Sequence, residues 1–227
     1  MNSILQELGS KPSVSEERGI AQLRDSDLVI FSPGISTAGF AEIRMAQDNP
    51  QRKIIATTID KKGLAFAEEV IAQTDVAAQI ETRYEDLRNG QYPDNYFDSI
   101  YARLVLHYLS CEDLDAVLSR FYASMKPNGR LFVVVRSVKN ADYDHPDVTF
   151  DPDTNLTTIT YRKSDGTVEG QSIRYFHTPE SICGHLQKAG FSIDVLSEYQ
   201  ERLYKDFMRQ EISPKEDFVI EVVAKKE

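Results

Sequence analysis

The stretch from Asp27 to Asp60 constrains the fold of this chain most. It contains a short apolar run, a turn of small residues at 32–39, an amphipathic segment and a second apolar run that ends at Asp60. Residues 28–31 are apolar without alternation, which is typical of a strand buried on both faces in a parallel sheet. The stretch therefore predicts a βαβ unit in which the turn faces a ligand.

The remainder of the chain continues the alternation of strands and helices. Strands are predicted at 53–59, 77–82, 97–101, 130–135, 191–199 and 217–224, and helices at 38–47, 63–72, 114–125 and 178–189. This order predicts one α/β domain over residues 1–227, a Rossmann-like doubly wound sheet of seven mostly parallel strands with helices on both faces. Residues 1–26 would form an N-terminal helical cap.

An insertion is predicted after the fifth strand, at residues 137–176. It begins as an acidic loop and continues as a β-hairpin around Gly166, added to the sheet. This insertion is a candidate substrate lid. The segment at 151–162 starts like a calcium-binding loop, but Leu156 replaces its glycine and Arg162 its final glutamate, so no metal is expected.

Composition restricts the partners. The 227 residues carry a formal net charge of −10, which argues against a nucleic acid held through its phosphates. The two cysteines, Cys111 and Cys183, have no metal-site or disulfide spacing. No apolar run approaches the roughly 20 residues of a membrane span. We expect a cytoplasmic protein with a small-molecule partner and without nucleic-acid or membrane partners, and the oligomeric state stays open.

The turn at 32–39 can be tested against known ligand loops. Gly34 and Gly39 have the spacing of a phosphate-binding loop, but Phe40 stands where its lysine is required. Ser36 lies in an approximate nucleophile elbow, yet only one strand precedes it. Of the three glycines in the dinucleotide-binding pattern, only Gly34 is present. A ribose-bearing ligand remains the best candidate, with Asp60 after the second strand as acceptor for the ribose hydroxyls.

Ligands of such sheets bind at the carboxyl ends of the strands, which directs attention to the residues after each strand. These candidate segments are 32–36, Asp60, 84–87, 102–107 and the stretch from Arg136 onward. Several later motifs then point to a family. Asp86 is followed by Pro93 and the Phe97-Asp98 pair, and Leu106-His107 closes the segment. With 126–131, 176–191 and 218–226, their order and spacing resemble the class I S-adenosylmethionine-dependent methyltransferases, especially the small-molecule branch.

The resemblance implies S-adenosyl-L-methionine as cofactor and assigns roles position by position. The turn at 32–36 would lie against its methionine and ribose, Asp60 would bind the ribose hydroxyls, and Lys61 would flank the adenine. Asp86 would accept the adenine amino group while Leu87 packs on the ring. The full set of cofactor candidates is Ser32, Pro33, Gly34, Ser36, Asp60, Lys61, Asp86, Leu87, Ala102 and Arg103. The alternative for both carboxylates is a helix cap or a loop position, and for Arg103 an ion pair.

Candidates for the chemistry follow from the same resemblance. Ala102 and Arg103 would border the methionine moiety, and His107 would face the transferred methyl. With an ordinary pKa near neutrality, His107 is a candidate general base, the alternative being a residue of the pocket wall. Tyr143, His145 and Tyr175 lie in or beside the insertion and are substrate candidates, with surface-loop positions as the alternative.

The chain departs from the family in its first motif. Ile30 stands where an acidic residue is usual, and Ser32 and Ser36 replace two glycines. The predicted function is methyl transfer to an oxygen or nitrogen of a small molecule. One alternative is a catalytically inactive protein that binds S-adenosylmethionine or S-adenosylhomocysteine. The other is an NAD(P)-dependent oxidoreductase on a related βαβ scaffold.

Overall fold

The structure, a computed structural model, describes residues 12–203 and 216–227. Ten strands are present in this part of the chain, and seven of them form the central sheet. The strands are β1 Val29–Pro33, β2 Lys53–Thr58, β3 Ile80–Tyr84, β4 Phe97–Arg103, β5 Met125–Arg136, β6 Val148–Asp151, β7 Leu156–Arg162, β8 Val168–Arg174, β9 Ser192–Glu201 and β10 Asp217–Lys225.

Five α-helices are found in the described residues: α1 Val14–Ala21, α2 Phe40–Asp48, α3 Lys61–Ile71, α4 Cys111–Ser124 and α5 Pro179–Lys188. Local sequence explains where several of them begin. The Ser110 hydroxyl caps α4 by accepting from the Asp113 amide at 3.1 Å, and Thr178 opens α5 in a capping box with Ser181. Single 3₁₀ turns lie at Thr37–Gly39, Ala77–Gln79 and Leu106–Tyr108.

The central sheet has the order β3-β2-β1-β4-β5-β10-β9. Pairs from β3 across to β5 are parallel, and β10 runs antiparallel to both β5 and β9. Strand order reverses between β1 and β4. In open sheets of this kind the ligand crevice lies at that reversal, outside the carboxyl ends of the strands.

Both faces of the sheet are covered. Neighbouring residues of β1 enter different cores: Ile30 packs with Phe40 of α2, whereas Phe31 packs with Leu118 of α4. Ile30 and Phe31 are fully buried. The unalternating apolar run therefore marks a strand covered on both sides, and the prediction of a doubly wound, mostly parallel seven-stranded sheet is confirmed.

The insertion differs in part from its prediction. Its hairpin is present as β7 and β8, but it belongs to a separate antiparallel sheet of order β6-β7-β8 instead of joining the central one. Strand β6 lies where a loop was predicted. Its four residues are exposed, the alternation of Val148 and Phe150 with Thr149 and Asp151 spans only these four positions, and the strand forms through its ladder with β7, as in the pair Val148 and Ile159.

Several predicted boundaries also move. The third strand spans β3, not 77–82, because Ala77–Gln79 forms a 3₁₀ turn. The fifth strand begins at Met125, earlier than 130, through its pairing with Phe97. Within the predicted N-terminal cap the structure shows α1, and residues 1–11 lie outside the described residues. Among the helices of the described ranges, none is long and apolar enough to cross a membrane.

Candidate active site

A cavity of about 520 Å³ opens where the strand order reverses. Its walls come from residues 34–35, 57–60, 85–88, 104–105 and 108–109, which follow or end strands β1 to β4. The volume lies in the range of small-molecule and cofactor sites, roughly 300–1,000 Å³. Gly34, Asp60, Asp86 and Leu87, which the sequence placed in one site, line this cavity together.

The turn after β1 approaches the cavity with its backbone. The amides of Gly34 and Ile35 both donate to the Thr57 carbonyl at 2.8 Å, which ties the turn to the end of β2. Gly34 has φ +74°, and a Cβ added there would lie 2.8 Å from the Cβ of Val105. Only glycine combines this backbone conformation with that approach. Ser32 and Pro33 are buried at the end of β1, and Ser36 borders a small recess beside the cavity that Asp60 also lines.

Asp60 takes the helix-cap position that the sequence offered as an alternative, and it also lines the cavity, so its role toward the ribose hydroxyls stays a prediction. Its side chain caps α3 by accepting from the Lys62 amide at 3.0 Å, and the residue is exposed on the cavity wall. Lys61 extends its ammonium group over the ring of Tyr84, 4.9 Å from the centroid. A cation–π contact therefore holds Lys61 at the end of β3.

Asp86 forms a bidentate pair with Arg88. Arg88 Nε donates to Asp86 Oδ1 at 3.0 Å and Arg88 Nη2 to Oδ2 at 2.6 Å. These hydrogen bonds lower the pKa of the Asp86 carboxyl, so it is an ionised acceptor at neutral pH. Arg88 lines the same cavity but was not among the sequence candidates. The sequence feature that could have identified Arg88 is its position two residues after Asp86, an acidic site candidate.

A second cavity, of about 200 Å³, adjoins the first, and both are lined by Leu104 and Tyr108. Leu104 has φ +54° and donates its amide to the Val134 carbonyl at 2.8 Å. A left-handed conformation is unfavourable for leucine, and such strain concentrates at functional sites. The second cavity is otherwise mostly polar, with lining residues that include Ser13, Glu16, Thr37, Arg103, His107 and Arg136.

His107 is fully buried in the wall of the second cavity. Neither ring nitrogen has a hydrogen-bond partner within the described residues. Burial, followed by the charges of Arg136 and Arg174, lowers the pKa of His107 well below its ordinary value. The imidazole is therefore neutral at neutral pH, and accepting a proton there is unfavourable.

Arg103 also lies on the second cavity, where it is tied to α1 and β9. Its Nε donates to the Ser15 hydroxyl at 2.7 Å, its Nη2 donates to the Ser13 hydroxyl at 2.5 Å, and Glu201 is 3.7 Å away. The ion-pair alternative is thus realised. Ala102 is buried within β4. Arg136, at the end of β5, pairs with Asp217, while its Nε has no hydrogen-bond partner in the described part of the chain.

The substrate candidates of the insertion lie outside the linings of both cavities. Tyr143 packs on Phe176, and His145 accepts from the Asp147 amide at 3.2 Å. Tyr175 is nearly buried, and its amide donates to the carbonyl of His107, a residue of the second cavity, at 2.7 Å. Among the described residues no group of three or more His, Cys, Asp or Glu side chains is placed to hold a metal ion.

Comparison with known proteins agrees with this geometry. A methyltransferase-domain family model matches residues 33–133, which include every residue lining the larger cavity. No curated protein matches the chain by sequence. Among solved structures, a Methanosarcina mazei S-adenosylmethionine-dependent methyltransferase has a TM-score of 0.70 at 14% identity, over 91% of this chain and 95% of that one.

Two further structures share the fold. An S-adenosylmethionine-dependent methyltransferase from Mesorhizobium loti has a TM-score of 0.66 at 18% identity, over 96% of this chain and 99% of that one. The [4+2]-cyclase SpnF has a TM-score of 0.64 at 16% identity, over 93% and 79%. Identities this low establish the fold alone. With the family-model match, the resemblance to the class I S-adenosylmethionine-dependent methyltransferases is confirmed, and so is S-adenosyl-L-methionine as the cofactor that it implies, while the small-molecule branch stays a prediction.

Proposed function

Because the chain carries a class I S-adenosylmethionine-dependent methyltransferase domain, we propose that it transfers a methyl group to an oxygen or nitrogen of a small molecule. The observation that supports this most is the pair of adjoining cavities. A larger one lies at the strand reversal, inside the matched domain, and a smaller polar one shares a wall with it. Two adjacent compartments suit a methyl donor and its acceptor.

The larger cavity fits the cofactor in shape and chemistry. Gly34 lines the cavity with its backbone and without a side chain, and Asp60 and Asp86 supply acceptors for hydroxyl and amino hydrogens. Leu87, nearly buried, offers an apolar surface beside Asp86. Gly34, Asp60, Asp86 and Leu87 would therefore hold the cofactor. When bound, S-adenosylmethionine supplies a sulfonium methyl group that is already strongly electrophilic.

The smaller cavity is the proposed acceptor compartment. Its volume of about 200 Å³ has room for only a small acceptor or the reacting end of a larger one, and its donors include Arg103, Arg136 and the neutral imidazole of His107. We assign His107 an orienting role through a hydrogen bond, because its lowered pKa makes it a poor proton acceptor. Positioning then provides most of the rate enhancement. The substrate residues predicted in the insertion, Tyr143, His145 and Tyr175, stay predictions for a lid above this compartment.

Calorimetry with S-adenosylmethionine and S-adenosylhomocysteine tests the donor half of the proposal. S-adenosylhomocysteine release with a panel of phenols, carboxylic acids and amines then tests the acceptor half. Binding of both sulfur ligands together with turnover of at least one acceptor is expected. Absence of binding by either ligand would refute the proposal, and stabilisation by NAD instead would favour the oxidoreductase alternative.

A second candidate is a protein that binds the cofactor without moving its methyl group. Two observations favour it: Ile30, Ser32 and Ser36 depart from the family's first motif, and a fold neighbour is a [4+2]-cyclase. Tight binding of both sulfur ligands without any release of S-adenosylhomocysteine across the panel would support this candidate.

A further inference from the structure

A buried carboxylate lies behind the turn in which this chain departs from the family. Glu42 of α2 is fully buried. Its Oε1 accepts from the Ser32 hydroxyl at 2.6 Å and from the Ser36 amide at 3.2 Å, and its Oε2 accepts from the Ser36 hydroxyl at 2.5 Å. The two serines that replace glycines are therefore the two hydroxyl donors to Glu42.

These contacts join the two ends of the turn. Ser32 is one of the last two residues of β1, before Gly34, and Ser36 lies after Gly34, so one carboxylate joins the two sides of the turn at 32–36. The Ser36 hydroxyl also accepts from the Ala41 amide at 2.9 Å, which fastens the turn to the first residues of α2. We call Ser32, Ser36 and Glu42 the serine–glutamate clasp.

The contacts of the serine–glutamate clasp indicate that it fixes the conformation of the turn and does not serve general stabilisation of the core. A buried carboxylate is costly unless donors satisfy it, and hydrogen bonds to a charged group are roughly twice as strong as neutral ones. All three donors to Glu42 come from the turn. The residue between them, Gly34, lines the larger cavity, and Ser36 borders the recess beside it.

We propose that Glu42 is a positioning residue that holds the backbone at 32–36 against the cofactor. The proposal rests on the proposed function, because it requires that the larger cavity hold the cofactor. Glu42 acts through Ser32 and Ser36 and touches no ligand, since its side chain is fully buried. The clasp also explains why two hydroxyl-bearing residues stand at positions where small size alone would favour glycine.

Glu42→Gln provides the main test, because it keeps the side-chain volume but removes the charge and turns one acceptor into a donor. The dissociation constant for S-adenosylhomocysteine, measured by calorimetry on protein that circular dichroism shows to be folded, should rise about tenfold, as expected for losing a charge-assisted bond. Glu221→Gln is the matched control. Glu221 is also a buried carboxylate, it accepts from the Tyr199 hydroxyl at 2.5 Å, and it lies outside both cavity linings.

A double-mutant cycle separates positioning from lost stability. If Glu42 acts through Ser36, then Ser36→Ala and Glu42→Gln should each weaken S-adenosylhomocysteine binding. The double variant should then have about the same dissociation constant as whichever single variant binds more weakly. If Glu42→Gln does not fold, Ser32→Ala and Ser36→Ala measure the same clasp with smaller changes. Wild-type affinity in folded Glu42→Gln, or in both serine variants, would overturn the proposal. A wild-type protein that binds neither sulfur ligand would instead refute the proposed function, and the inference with it.

Discussion

Gly34→Ala is the sharpest test of the turn geometry. An added Cβ would lie 2.8 Å from both Cβ and Cγ2 of Val105, well inside van der Waals contact. A left-handed alanine costs about 1–2 kcal/mol, and overpacking costs about 1–3 kcal/mol. The free energy of unfolding should therefore fall by about 2–5 kcal/mol, and the melting temperature by on the order of 10 °C for a domain of this size.

Gly34→Ala should also weaken cofactor binding. Relieving the overlap requires the turn or Val105 to move, and the Gly34 and Ile35 amides would then leave the Thr57 carbonyl. Urea unfolding and calorimetry with S-adenosylhomocysteine measure the two effects. Gly184→Ala is the control: Gly184 lies within α5 with no atom within 4 Å of the added Cβ, so this change should stabilise by about 0.5–1 kcal/mol. A Gly34→Ala variant as stable as the wild type would refute the described turn.

Three further predictions concern single side chains. Asp60→Asn keeps the cap of α3, since asparagine caps as well as aspartate, so the melting temperature should not change. The substitution should weaken S-adenosylhomocysteine binding about tenfold. Unchanged affinity in calorimetry would show that Asp60 does not belong to the cofactor site. Arg88→Gln should raise the pKa of Asp86 in an NMR titration, because the variant loses the ion pair between the two side chains. Any stability that the substitution costs should disappear as the pH falls through the folded-state pKa of Asp86, which lies below 3.8. An unshifted Asp86 titration would contradict the Asp86–Arg88 ion pair. His177 is buried with a pKa lowered to about 3, so protonation favours the unfolded chain, and stability should fall as the pH drops below 6.5. His177→Gln should reduce this dependence and leave the part that His107 contributes, which denaturant unfolding at pH 5 and pH 7 would reveal.

Much of the fold follows from local pattern. Ile30 and Phe31 enter opposite cores, as an unalternating apolar run predicts, and Asp60 and Asp86 reach one cavity because parallel strands end at one edge of the sheet. Strand β6 was missed because its apolar-polar alternation spans only four residues, all of them exposed and within an acidic stretch. Its existence depends on the ladder to β7.

For the candidate site residues, too, the sequence indicated the position but not the environment of the side chain. His107 was singled out by its place after the fourth strand, and it does line a cavity. Its protonation state could not be read from the sequence, because the pKa depends on complete burial and on Arg136 and Arg174, which come from distant strands. Arg103 was expected after the fourth strand and is the last residue of β4, and its guanidinium contacts Ser13 and Ser15 at the start of α1, far away in sequence.

The amino-acid sequence by itself determined the strands and helices of the central sheet, the position of the turn at 32–39 and the two carboxylates that follow β2 and β3. These features depend on periodicity and on residues adjacent in the chain. Only the tertiary structure decided that Glu42 lies behind Ser32 and Ser36, that Leu104 separates two cavities and that His107 is neutral. The physical reason is that hydrogen bonds, burial and electrostatic fields act through space, between residues that the chain brings together only when it folds.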